Sequence, residues 1–300
     1  MPLKYVGNGP YCNANSLSMI FGANGPGPAA IEVLSGTPFG MSIQGEDLPY
    51  WGPLGWTPEH GLQATMELLG WTCDRTFGSA EEAVAGLRRA TPENPVLAGP
   101  VEMGVLPYIP GLGYALGADH VLVVIGVEGD LVRAHDAQGW PYVTLPIDAL
   151  LGAWTGDTFV YQVEPYVLRS NFRRVQEIDL HTALRASLPR AVEWLDRGDS
   201  GEAALKLADI VEAGLGNMQY KFLVEFTVQG GARRLSDAAA LLGDIGATGA
   251  SDVLTEQARL VGALQLPLTT REYPAAVSIL RDLAPTYAAL RAELAAEVAR

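Results

Sequence analysis

The 300-residue chain is long enough for one large or two smaller domains, and at 48% apolar and 18% charged residues it has the balance of a folded protein. A net charge of −14 repels nucleic-acid phosphates, and no apolar run reaches the ~18 to 20 residues that span a bilayer. The start, MPLKYVGNGPYCN, holds no signal-peptide core, so the expectation is a cytoplasmic protein, free of nucleic acid and membrane, whose two cysteines are thiols.

The charge is uneven. Residues 1–165 carry 5 Lys/Arg against 17 Asp/Glu, and residues 166–300 carry 15 against 17. Such an acidic first half either serves solubility or attracts a cationic partner, such as an amine.

In chain order, Asn8-Gly9-Pro10 leads into a helix from Cys12 to Phe21, with Gly22 suited to its exit. A second helix covers TPEHGLQATMELLG, with Thr57 as N-cap and Pro58 in its first position. SAEEAVAGLRRA is a third, where Ser79 and Glu82 form a capping box. PVLAGPVEM then reads as a strand, and VLVVIGV and LVRAHD as two more across the turn Glu128-Gly129-Asp130. YVTLP and DTFVYQVEP supply further strands. Beyond residue 166 the pattern is helical, over 181–198, 201–216, 218–229, 236–245, 251–266 and 272–299, with a break at Pro285. The fold class is therefore α+β, with a catalytic domain over 1–166 and an all-α domain over 167–300 that lids a cleft, forms a homodimer interface, or both.

The hairpin brings chemistry together. If Val127 pairs with Leu131 across a three-residue loop, Asp136 faces Leu122 and His120 faces Gln138. His120, Asp136 and Gln138 then share one face, with the diagonal His120–Asp136 pair roughly 7–8 Å apart at Cβ. A two-residue turn would shift the pairing by one and spoil this. A carboxylate holding one imidazole nitrogen leaves the other to take a proton from a nucleophile, and Cys12 at its helix start is the partner. The chemistry is acyl transfer through an acyl-cysteine.

Cys12 on an early helix, then His120 and Asp136 on successive strands, is the order of papain-like cysteine enzymes. HVLVVIGVEGDLVRAHDAQG resembles the His and Asp region of double-glycine-type peptidases. YCNANSLSMIFG and GLGNMQYKFLVEFTVQGGARRLSDAAALLGDI resemble the butirosin biosynthesis protein H family of aminoglycoside acyltransferases. That resemblance implies a papain-like first domain and transfer of an acyl group from a carrier-protein thioester to a small amine in an antibiotic-type pathway. Cys12 is then the nucleophile, His120 the base and Asp136 its orienting partner. Papain-like enzymes usually place a glutamine before the cysteine to hold the oxyanion; none precedes Cys12, and Asn8 is the nearest amide.

Other residues divide as follows. PYIPGLGYALGADH is a loop bordering the site, with Tyr108 and Tyr114 as substrate walls and Gln138 as a further substrate contact. Arg169, Arg173 and Arg174 form a basic cluster suited to docking an acidic carrier protein. Cys73 is a packing residue, His60, His135 and His181 are structural, and no spacing calls for a metal or cofactor. The rival readings are a cysteine peptidase or amidase using the same triad, a non-catalytic protein of the same fold, and an N-terminal-nucleophile enzyme cleaved after Tyr11.

Overall fold

The computed structural model describes residues 11–45, 47–110 and 113–300, excepting the side chain of residue 24. The fold is α+β, with helices and antiparallel sheets first and an all-helical region after them. The chain begins with α1 (Cys12–Phe21), α2 (Pro28–Leu34), the short paired strands β1 (Ser42–Gln44) and β2 (Leu48–Tyr50), and α3 (Pro58–Leu68). Next come β3 (Trp71–Thr76), α4 (Ala80–Leu87), β4 (Val96–Glu102), β5 (Asp119–Glu128), β6 (Leu131–Asp136), β7 (Trp140–Pro146), α5 (Ile147–Ala153) and β8 (Leu168–Arg174). The helical region holds α6 (Leu180–Asp196), α7 (Ser200–Ala213), α8 (Asn217–Phe222), α9 (Val228–Asp244), α10 (Thr248–Ala263), α11 (Gln265–Thr269), α12 (Tyr273–Leu283) and α13 (Thr286–Val298).

Local rules set several of these ends. Thr57 Oγ1 accepts the His60 N–H at 3.5 Å, with Pro58 at the first position of α3. At α4, Glu82 N–H donates to Ser79 Oγ at 3.2 Å while Ser79 N–H donates to Glu82 Oε2 at 3.4 Å, closing the capping box. Pro285 separates α12 from α13, because a proline there supplies no N–H to the preceding turn.

Strands β3-β8-β4-β5-β6-β7 form one antiparallel sheet in that order. One sheet face packs under α4 and α5, with Leu87, Leu122, Val124, Val132, Leu150 and Trp154 in its core. Helix α1 lies against β5. The expected strand DTFVYQVEP forms no regular element; β8 takes its place in the sheet. The pattern of LRSNFRR concealed this strand, because the buried Arg169 sits where a strand ordinarily places an apolar side chain.

The chain forms two compact units, residues up to Pro28 with Gly70–Gln176, and Ala29–Leu69 with Glu177–Arg300. This differs from the expected 1–166 and 167–300. Segment 29–69 belongs with the helices through specific contacts: Glu32 Oε1 meets Arg234 Nε at 2.6 Å, and Met41 N–H donates to Ser200 Oγ at 3.0 Å. Among the described residues no helix is long and apolar enough to cross a membrane.

Candidate active site

Cys12 is the first residue of α1, where Tyr11 caps without a side-chain hydrogen bond. The first backbone N–H groups of a helix have no partner within it, so Cys12 and its neighbours present donors at the helix start. Cys12 is a free thiol, partly exposed. Asn13, the next residue, donates from Nδ2 to Cys12 Sγ at 3.6 Å.

His120 lies near the start of β5 and Asp136 at the end of β6, and the register between them explains their meeting. Near the turn the pairs are Glu128↔Leu131, Val127↔Val132 and Gly126↔Arg133, which is the two-residue turn that the expected pairing could not tolerate. A bulge at Ile125 then shifts the register by one, giving Val124↔Ala134, Val123↔His135 and Leu122↔Asp136. The expected facing of Asp136 and Leu122 is thus present, but through a bulge and not through a three-residue loop.

His120 Nε2 and Asp136 Oδ1 lie 2.8 Å apart, and both residues are buried. Asp136 leaves the second ring nitrogen free of it, and Cys12 is the other group near enough to favour the protonated imidazole. Burial disfavours a charged His120, but the hydrogen bonds and charges of Asp136 and Cys12 outweigh it and raise the imidazole to about 10. Burial would likewise push Asp136 up; the hydrogen bond and charge of His120 lead the groups that hold its carboxyl below the ordinary value.

Two further groups complete Asp136. Tyr108 O–H donates to Oδ2 at 2.6 Å, and Gln138 N–H donates to Oδ1 at 2.7 Å. Burial, then the Asp136 charge and hydrogen bond, keep the Tyr108 hydroxyl protonated far above its usual range. Tyr108 therefore holds the carboxylate, a role separate from the substrate wall expected of it. Its ring also meets Trp140 edge-on, with centroids 5.7 Å apart. Gln138 acts on Asp136 through its backbone, while its side-chain amide reaches Met103 Sδ at 3.9 Å. Tyr114 stands 59% exposed on the same loop, open to a ligand.

That loop is tied by Glu102, a buried carboxylate at the end of β4. It accepts from Gly104 N–H at 2.9 Å, Leu116 N–H at 3.0 Å and Gly117 N–H at 2.8 Å. Neither Glu102 nor Asn13 stood out in the sequence. The available signal for Glu102 was a carboxylate closing an apolar strand two residues before a glycine, a pattern many solvated strand ends share.

Other expected residues fall elsewhere. Asn8 lies outside the described residues. Arg169 is 1% exposed within β8, which closes it to a docking carrier, and Arg173 pairs with Asp74 at 3.1 Å. With Arg169 buried and Arg173 and Arg174 exposed, the three arginines do not form one surface patch. Arg174 is exposed at the end of that strand. His135 is buried with Nδ1 accepting the Tyr142 N–H at 3.1 Å. His60 Nδ1 lies 2.9 Å from Thr57 Oγ1, at the start of α3. Among the described residues no group of three or more His, Cys, Asp or Glu is placed to hold a metal ion.

Residues 198–295 match the family model of the YobF C-terminal domain. Over nearly its whole length the chain is similar to the uncharacterized protein YobF of Bacillus subtilis (strain 168), 26% identical over 304 residues, which is 97% of this chain and 98% of that protein. The matched domain lies within the helical region and contains none of Cys12, His120 or Asp136.

Proposed function

We propose that the chain is a cysteine-dependent acyltransferase that moves an acyl group from a thioester donor to an amine through an acyl-Cys12 intermediate. The observation that carries this reading is the His120 ring, held by Asp136 at 2.8 Å, with Cys12 near enough to help raise its affinity for a proton. The resemblance of the sequence around Cys12 and His120 to papain-like acyltransferases supports it, as does the acidic first half, which suits a cationic acceptor.

The steps follow from the geometry. With the thiol proton on His120, the Cys12 sulfur attacks the thioester carbonyl carbon, and the C=O π pair moves onto oxygen. Collapse of that adduct breaks the bond to the donor sulfur, which takes the His120 proton and leaves as a thiol. An amine then attacks acyl-Cys12, its proton passes to His120, and Cys12 leaves as thiolate with the amide released. Asp136 keeps the imidazole oriented and its positive charge balanced in both halves. Water in place of the amine gives the free acid, which is the peptidase or amidase outcome of the same triad.

The test is incubation with an acetyl thioester of N-acetylcysteamine, with and without a small primary amine. Acetyl-Cys12 by peptide mass, its loss in Cys12→Ser, and amide product that rises with amine are expected. Free acid alone, unaffected by amine, would make the chain a hydrolase. Absence of acetyl-Cys12 while Cys12 still reacts with iodoacetamide would remove the acyl-transfer reading.

A further inference from the structure

Resting on that reading, we infer that Asn13 supplies the side-chain donor for the oxyanion formed at acyl-Cys12, the place for which the sequence offered only Asn8. An acyl oxygen bound through a carbon to sulfur stays close to that sulfur. Nδ2 of Asn13 already donates to Cys12 Sγ at 3.6 Å, so the same N–H meets the oxygen of a group carried on Sγ with little movement. The backbone N–H of Cys12, unpaired within α1 as the helix's first residue, is the second donor. Both donors then sit on one rigid helix, one residue apart, and converge where charge develops.

Packing gives independent support. Asn13 Oδ1 is buried and makes no hydrogen bond among the described residues. A buried amide oxygen without a partner is a cost to folding, so the amide is not explained by stability. An alanine would avoid that cost. The sulfur contact is the hydrogen bond its side chain does make among the described residues, and it points the N–H at the reacting atom.

In the balanced step, the sulfur lone pair forms the S–C bond while the C=O π pair becomes the oxyanion lone pair, which accepts from Asn13 Nδ2–H and Cys12 N–H. When the pair returns to form C=O, the bond to the leaving sulfur breaks and His120 supplies its proton. Alkylation of the same sulfur by iodoacetamide is a direct displacement and forms no oxyanion. The two reactions therefore separate an oxyanion donor from a residue that only shapes the thiolate or the fold.

The experiment measures both rates at Cys12 in the full chain for wild type, Asn13→Ala and the isosteric Asn13→Asp, with unfolding temperature as a control. The inference expects acetylation by the N-acetylcysteamine thioester to fall on the order of 10²- to 10³-fold in Asn13→Ala, as for loss of one oxyanion donor, with alkylation within about threefold of wild type. Unfolding temperature should stay level or rise. Equal loss of both rates would mean Asn13 acts on the thiolate or the fold, and overturns the inference. Unchanged acetylation in both variants also overturns it. A wild-type chain that alkylates but never acetylates removes the acyl-transfer reading, and this inference with it.

Discussion

Asp136 commits both of its oxygens within its own unit, Oδ1 to His120 and the Gln138 N–H and Oδ2 to Tyr108. Hydrogen bonds to a charged group contribute about 1.5–3 kcal/mol, so Tyr108→Phe should lower stability by roughly that much and free one side of the carboxylate. Urea denaturation reads the first effect, and a drop of about tenfold in Cys12 acetylation reads the second; a variant with wild-type values in both would mean the Tyr108 bond holds nothing. His120 gives a pH prediction. Despite the opposing effect of burial, Asp136 and Cys12 raise it from 6.5 to about 10. A raised folded-state value means stabilisation that is fully present below about 6.5 and lost as pH rises through about 10. The unfolding temperature should fall across that window, and Asp136→Asn should flatten the fall. Parallel curves for the two proteins would contradict the assignment.

At the scale of elements, the position of β5 decides where His120 stands. Gly99, at φ +144° in β4, passes so close that an added Cβ would lie 2.7 Å from the His120 carbonyl oxygen and 2.8 Å from Val121 Cγ1. The contact is with backbone, which cannot rotate away as a side chain can. Gly99→Ala should therefore cost about 1–3 kcal/mol and displace the strand that carries the base. Denaturation and alkylation of Cys12 measured together test this; lost stability with an unchanged Cys12 rate would show that β5 holds His120 despite the clash. The Ile125 bulge acts at the same scale. A side-chain period of two makes a one-residue shift turn every residue to the other face, so the bulge determines that Asp136 opposes Leu122.

For the whole molecule, the chain crosses between its two units and returns, and the helical unit depends on the early segment 29–69. Glu32 and Arg234 are both 7% exposed and joined at 2.6 Å, and Arg234 also donates to the Trp51 carbonyl oxygen at 3.3 Å. Removing one partner of a buried ion pair strands the other charge, so Arg234→Ala should destabilise the helical unit by about 3–5 kcal/mol. Replacing both residues with apolar ones of similar size should cost less than the single change, a comparison that urea denaturation of the single and double variants makes directly.

Local chemistry was legible from the sequence. The cap at Thr57, the box at Ser79 and Glu82, the break at Pro285 and the strands flanking Gly129 depend on residues a few positions apart. The expected loop length was wrong while the facing of Asp136 and Leu122 was right, because a bulge has no reliable sequence signal. Tertiary structure alone decided that Tyr108 serves Asp136, that Arg169 is buried within β8, and that 29–69 joins the helices. Each depends on which distant surfaces meet, and contacts between remote parts of the chain are set by packing in three dimensions, not by local spacing.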